Sequence, residues 1–276
     1  MPSPVKSLII TVVVVVATIS VIVAVQKHKV QDTVPETFIS IKDSHVAPLE
    51  NSKKPVPKFS TYTDVKAKKR AFFAYLLPEI RRQNSIVEKE REMVFSLLNV
   101  HTENQQLNQH ESEIFELLKQ KYQLNIIKDL AIEDTLAEMI IRVDIIPEKL
   151  ILVQAANESG WGTSRFALKG YNFFGLWCFK TGCGFVPKQR NEGAKHEVAK
   201  FRDLSHAVMT YIRNLNRLYA YQELRLIRSQ LRKDNKPVTA KALSEGLISY
   251  SERGQDYIDE LQSMLRVNEK HMETAL

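Results

Sequence analysis

The stretch from Pro147 to Gly162 constrains this chain more than any other. Leu150, Ile151, Leu152, Val153, Ala155 and Ala156 leave almost no polar side to a helix of 3.6 residues per turn. A helix of that kind is buried on every side, and the remaining elements must pack around it. Pro147 suits its first turn and Gly160 its end. Glu158 stands at its tail, in Gln154-Ala155-Ala156-Asn157-Glu158-Ser159-Gly160-Trp161-Gly162. Burial disfavours the charged carboxylate and raises its pKa, and the negative end of the helix dipole acts in the same sense. A carboxylic acid kept protonated near neutral pH can protonate a leaving glycosidic oxygen. The competing reading, which periodicity alone would put first, is a glutamate that merely caps or pairs at a helix end.

The rest of the chain is also largely helical in its spacing. From Asp64 to Gln120, Phe72, Phe73, Leu76 and Leu77 form one stripe and Ile86, Val87, Met93, Val94, Leu97 and Leu98 another, with Pro78 expected in the first turn of a new helix. Ile132–Val143, Leu204–Leu218, Tyr221–Arg232, Thr239–Ser249 and Gly254–Leu265 read as further helices. Residues 162–193 are rich in Gly and aromatics and read as loops and short strands. Only nine glycines in 276 residues argue against a large β protein. A mainly α fold with a small β part is expected.

Leu8 to Val25 is an uncharged run of 18 residues without Pro or Gly. That length is near the short limit for a membrane-spanning helix and long for the core of a cleaved signal peptide. We expect an uncleaved anchor at 8–25, a cytoplasmic tip at 1–7 and export of everything downstream. Lys6 against Lys27 and Lys29 gives little preference by charge, so the orientation with the amino terminus inside rests on the downstream position of the domain. Residues 26–63, with Pro35, Pro48, Pro55 and Pro57, read as an extended linker. Residues 64–128 read as a helical extension, 129–268 as the catalytic domain and 269–276 as a tail.

The net charge of +7 suits an anionic partner, but no nucleic-acid motif accompanies it, and general surface solubility explains it as well. Cys178 and Cys183, spaced C-x4-C, suit a small disulfide loop outside the cytoplasm better than a metal site. Two thiols need two more ligands, and His196 is the one nearby candidate. No metal and no cofactor is expected.

The segment 154–162, followed by Tyr171-Asn172-Phe173-Phe174-Gly175-Leu176, resembles the signature of the bacterial glucosaminidase family, A-x-x-E-S-x-W-G and then N-L/F-F-G-I/L a dozen residues on. The resemblance spans about residues 131–267 and is nearest to the family's membrane-associated Bax branch. Lys68-Lys69-Arg70-Ala71-Phe72-Phe73, Leu77-Pro78 and 178–187 look similar to that branch too. It implies a lysozyme-like α+β fold with a small β-lobe and cleavage of β-1,4 bonds at N-acetylglucosamine in peptidoglycan. The enzyme would then sit in the bacterial inner membrane with its domain in the periplasm.

The resemblance carries the general acid onto Glu158. A second carboxylate in the β-lobe maps to Glu197, with Glu192 as rival; a mechanism that uses the substrate's own 2-acetamido group would need neither. Leu247–Tyr257 resembles the family's closing G-Y-A-T-D-x-x-Y, which maps its tyrosine to Tyr250, although Ser-Glu-Arg replaces the usual Thr-Asp. Substrate contacts are expected from Trp161, Tyr171, Asn172, Phe174 and Trp177, by stacking on sugar faces or hydrogen bonding to glycan amides. A lytic transglycosylase or muramidase on the same polymer is the alternative activity, and a non-catalytic wall-binding protein the alternative class.

Overall fold

The structure is a computed structural model that describes residues 48–127, 129–187 and 196–275. The anchor run 8–25 and the first part of the linker lie outside the described residues. Among the described residues no helix is long and apolar enough to cross a membrane.

Nine α-helices, four short 3-10 turns and a small sheet account for the regular structure among the described residues, the helices and strands being α1 Val65–Asn104, α2 Gln109–Lys121, α3 Ile132–Arg142, α4 Glu148–Ser159, α5 Arg165–Gly170, β1 Trp177–Cys178, β2 Gly184–Phe185, β3 Glu197–Ala199, α6 Leu204–Arg217, α7 Gln222–Lys233, α8 Ala240–Ser244 and α9 Gln255–Glu273. This fits the lysozyme-like α+β class. The strands form one antiparallel sheet in the order β1-β3-β2, with Trp177 and Phe185 both opposite Val198.

The all-apolar helix is the hub. In α4, Leu150 through Ala156 are buried, including the polar Gln154, and α1, α8 and α9 pack against it. Gly160 ends it in the left-handed conformation, at φ 58°, where its amide closes onto Ala156. The turn before α4 is pinned by Arg228 of α7, which is fully buried. Its guanidinium donates to the carbonyls of Ile141, Arg142, Asp144 and Ile145 at 3.0–3.1 Å and to the Asn216 side chain at 2.7 Å. Such donors match carbonyls that no helix satisfies.

Three expectations need correction. Pro78 does not start a helix; it lies inside the continuous 40-residue α1. An internal proline costs roughly 3 kcal/mol. Here Phe72, Phe73, Leu76 and Leu77 before it, and Ile80, Val94 and Leu97 after it, are all at most 1% exposed, so burial on both sides holds one helix together. Residues expected at the end of the linker are core: Val56 and Phe59 are buried, in and beside short 3-10 turns at Glu50–Lys53 and Phe59–Thr61. The expected tail is helix as far as Glu273, with Met272 fully buried.

The helical extension and the segment that follows it therefore share one core. Phe72 packs edge-on against Phe59, Phe73, Trp161 and Phe173 at centroid distances of 5.3–6.1 Å. Gly162 is held at φ 73° beneath Phe59, and a Cβ there would come within 2.5 Å of that ring.

Candidate active site

The chain leaves α4 through a tight turn that sets Glu158 at its rim. The Ser159 hydroxyl donates to the Ala155 carbonyl at 2.6 Å and accepts from the Gly162 amide at 2.8 Å, which shapes the backbone just beyond the acid. Gly175, at φ 64°, passes so near that a Cβ there would lie 3.1 Å from a Glu158 carboxylate oxygen. The acid is thus walled by backbone on one side and partly open on another.

Burial raises the Glu158 pKa above its ordinary value. A hydrogen bond from the Tyr257 hydroxyl pulls it back, the Glu260 carboxylate pushes it up, and Arg253 opposes that push more weakly. Burial is the largest of these, so the protonated form is favoured relative to a free glutamate. Arg253 and Glu260 are themselves paired, 2.6 Å apart.

A polar chain runs from the core to the acid. The Tyr211 hydroxyl donates to Gln154 Oε1, and Gln154 Nε2 donates to the Tyr257 oxygen at 3.0 Å. Tyr257 then donates to Glu158. Gln154 lies one helical turn before Glu158 on α4, so the order of the chain follows from the helix. Burial raises the pKa of Tyr211, Tyr221, Tyr250 and Tyr257 alike, and the Glu158 charge acts on each of them in the same direction. Tyr250 stacks flat on Tyr257 at 5.6 Å, and Tyr221 leans on Tyr250 at 5.8 Å. Four tyrosines from α6, the turn after it, and the segment into α9 thus lie within electrostatic reach of one carboxyl.

The expected site residues divide into three sets. Glu158 and Tyr250 come together, but the Tyr250 hydroxyl donates to the Phe174 carbonyl at 2.7 Å and fixes the loop beside Gly175. The tyrosine that reaches the acid is Tyr257. The sequence did hold a signal for it, the last tyrosine of the closing motif. Arg253 and Glu260 carried no signal.

Asn172, Phe174, Tyr171 and Trp161 are each engaged by neighbouring parts of the chain. Asn172 is buried and braces its loop: its amide donates to the Leu176 and Ala199 carbonyls at 2.9 Å, and its oxygen accepts from the Leu176 amide at 3.0 Å. Phe174, 1% exposed, stacks on Tyr211 at 4.2 Å. The Tyr171 hydroxyl donates to the Lys54 carbonyl at 3.1 Å. Trp161 packs between Phe72 and Phe73, with the Lys69 ammonium 5.0 Å from its ring centre. Phe174 is buried, whereas Trp161 and Tyr171 are partly buried against the core.

Trp177 and Phe179, 50% and 81% exposed, are the aromatics that the sheet presents outward. They flank the Cys178–Cys183 disulfide. Glu197 lies under that loop, 3% exposed, with its two oxygens accepting from the Gly182 and Gly184 amides at 2.9 and 2.8 Å. Cys178, Cys183 and Glu197 come within 4.8 Å of one another, but the two sulfurs are bonded to each other and are not thiolate ligands. Glu192 lies outside the described residues.

Comparison with known proteins agrees with this geometry. The family described as mannosyl-glycoprotein endo-beta-N-acetylglucosaminidase, or Glucosaminidase, matches residues 133–270. Protein bax of Escherichia coli (strain K12) is 33% identical over 215 residues, covering 78% of this chain and 75% of that protein. No solved structure matches. The family match takes in α4 with its acid, the β-lobe and the tyrosine cage, and the chain belongs to the glucosaminidase family.

Proposed function

We propose that this protein is a peptidoglycan hydrolase that cleaves β-1,4 bonds at N-acetylglucosamine, with Glu158 as general acid. The observation that carries the reading is a carboxyl held in a tyrosine cage at a helix tail, its protonated form favoured by burial. In the forward step the Glu158 carboxyl gives its proton to the glycosidic oxygen as the bond from that oxygen to the sugar C1 breaks. Tyr257 stabilises the carboxylate that forms, so the acid is made neither too weak nor too strong.

Glu197 has both oxygens engaged by backbone amides, and Glu260 is paired with Arg253. This supports the substrate's 2-acetamido oxygen as the group that bonds to C1 in the first step. Water then opens that intermediate, bonding to C1 and returning a proton to Glu158. The anomeric configuration is retained. Glu197 acts as the brace of the β-lobe, and Trp177 and Phe179 offer faces on which sugars stack.

The same single-acid arrangement serves a lytic transglycosylase, in which a sugar hydroxyl replaces water. The reducing end of the product distinguishes the two: N-acetylglucosamine supports the proposal, and anhydro-muramic acid overturns it. Zymography on cell walls with wild type and Glu158→Gln tests the acid, and equal clearing by both would end the enzymatic reading. Residues 8–25 anchor the chain in the inner membrane with the domain in the periplasm, which the bonded cysteine pair supports. Protease added to spheroplasts degrades the domain if this topology holds and spares it if the domain is inside.

A further inference from the structure

The outer side of α6 carries a feature that the acid site does not use. Val208, Tyr211, Ile212 and Leu215 of this helix face the core. His206, Thr210, Arg213 and Arg217 follow one another at spacings of four, three and four, so they form a single stripe on the other side. His206 Nδ1, Thr210 Oγ1, Arg213 Nε and Arg217 Nε are all shielded from solvent and have no hydrogen-bond partner. Among the described residues only two other side-chain atoms share that state, Tyr75 Oη and His101 Nδ1. Shielded polar atoms are nearly always partnered in native proteins, so four in one row mark a place that expects a partner.

The row is also cationic. Burial disfavours the charged form of Arg213, and Arg217, one turn away, disfavours it further. Neither guanidinium has an ion-pair partner among the described residues. The carboxylate beside His206, Asp203, is occupied: it accepts from the His206 amide at 2.7 Å as the helix cap and from Arg202 at 3.0 Å. At the head of the row Arg202 is matched by Asp203, and Tyr122 lies near Arg213. Along the rest of the row the two guanidinium groups of Arg213 and Arg217 have no acceptor to match them among the described residues.

The length of the row narrows the ligand. Residues 206 to 217 span eleven steps, about 16 Å at 1.5 Å per residue of helix. One phosphate or carboxylate covers a fraction of that. An extended peptide advances about 3.3 Å per residue, so roughly five residues run the length of the row. On the opposite side of the same helix Tyr211 enters the hydrogen-bonded chain to Glu158. The two features are separated by about one helix diameter, on the order of 10 Å.

We propose that this row binds the carboxylate-bearing peptide stem of the wall glycan, in extended form, while the sugar backbone lies at Glu158. The inference rests on the hydrolase reading above and names a second part of the same substrate. Arg213 and Arg217 pair with the stem carboxylates, and His206 and Thr210 engage its backbone.

The test uses the full chain and a double variant, Arg213→Gln with Arg217→Gln. Its substrates are intact peptidoglycan and the same glycan stripped of peptides. The expected result is a rise in KM of about tenfold or more on intact wall, with kcat nearly unchanged and no effect on stripped glycan. Arg213→Lys with Arg217→Lys keeps the charge and retains much of the preference. An equal effect on both substrates, or none on either, overturns the proposal. So does a fall in Tm in the Gln variant, which would make the row a structural device.

Binding of free stem peptide by wild type and the Gln variant tests the row independently of catalysis. If wild type cuts neither substrate but still binds stem peptide through Arg213 and Arg217, the hydrolase reading fails and the row stands. If the Gln variant instead loses binding to phosphatidylglycerol vesicles and keeps full stem binding, the row is a membrane contact and the proposal is wrong.

Discussion

Phe72→Ala tests whether the helical extension and the family domain form one cooperative unit. Phe72 is fully buried on α1 and touches the rings of Phe59, Phe73, Trp161 and Phe173. Truncating a buried Phe costs about 3–5 kcal/mol through lost transfer energy and the cavity that remains. Edge-to-face ring pairs add about 0.5–1.5 kcal/mol beyond area. Four of them place this site at the upper end, about 4–5 kcal/mol. The neighbours belong to three stretches of chain, so the cavity has no single flexible wall to collapse into it.

For a chain of this size about 1 kcal/mol moves Tm by roughly 2–4 °C, so a drop of about 8–20 °C is expected. Thermal unfolding measures that drop, and urea unfolding followed by tryptophan fluorescence and by circular dichroism measures the free energy, because Trp161 reports from the shared core. The two signals should coincide in one transition, in wild type and in variant. Phe179→Ala, which removes an 81% exposed ring, is the control and should stay within about 0.5 kcal/mol. A loss below about 1.5 kcal/mol for Phe72→Ala, or two separated transitions in wild type, would refute the single shared core.

Glu158→Gln should lower activity by about 10²–10⁴-fold and yet stabilise the fold at neutral pH. The sign follows from linkage: a folded-state pKa above the unfolded one means the native state binds more protons in that window, so wild-type stability falls as pH rises through it. The variant's advantage should be present at pH 7 and gone below the ordinary glutamate pKa, and a constant difference from pH 3 to 8 would contradict it. Tyr257→Phe removes the hydrogen bond that holds the Glu158 pKa down, so the alkaline limb of the kcat/KM profile should move to higher pH; an unmoved limb means Tyr257 does not tune the acid. Gly162→Ala places a Cβ 2.5 Å from the Phe59 ring at φ 73° and should cost about 2–4 kcal/mol in thermal unfolding, and a neutral effect would show that the turn can relax. Glu197→Gln leaves one of the Gly182 and Gly184 amides without an acceptor and should loosen the lobe by about 1–3 kcal/mol, seen as faster amide exchange at those two glycines while α4 stays protected.

The place of Glu158 at a helix tail was legible in the sequence because its context is local. Hydrophobicity on every side of 150–156, a helix stop at Gly160 and a carboxyl two residues before it are properties of one short segment. The aromatics were harder. Trp161, Phe174 and Trp177 look equivalent in a list of rings, yet the fold partly buries the first against Phe72 and Phe73, buries the second against Tyr211 and exposes the third. Pro78 misled for a similar reason. Its effect on the backbone is local and known, whereas the packing that overrides it comes from segments far along the chain.

The sequence by itself determined the buried hub helix, the acid at its tail and the membership of its family, since each depends on residue types at fixed spacing along one segment. Only the tertiary structure decided what surrounds that acid: Tyr257, Arg253 and Glu260 from about a hundred residues downstream, Gly175 at its side, and an extension fused into the same core. The pKa of a carboxyl is set by lost hydration and by charges and hydrogen bonds within a few ångströms. Those are sums over neighbours in space, and spacing along the chain carries no record of them until the chain has folded.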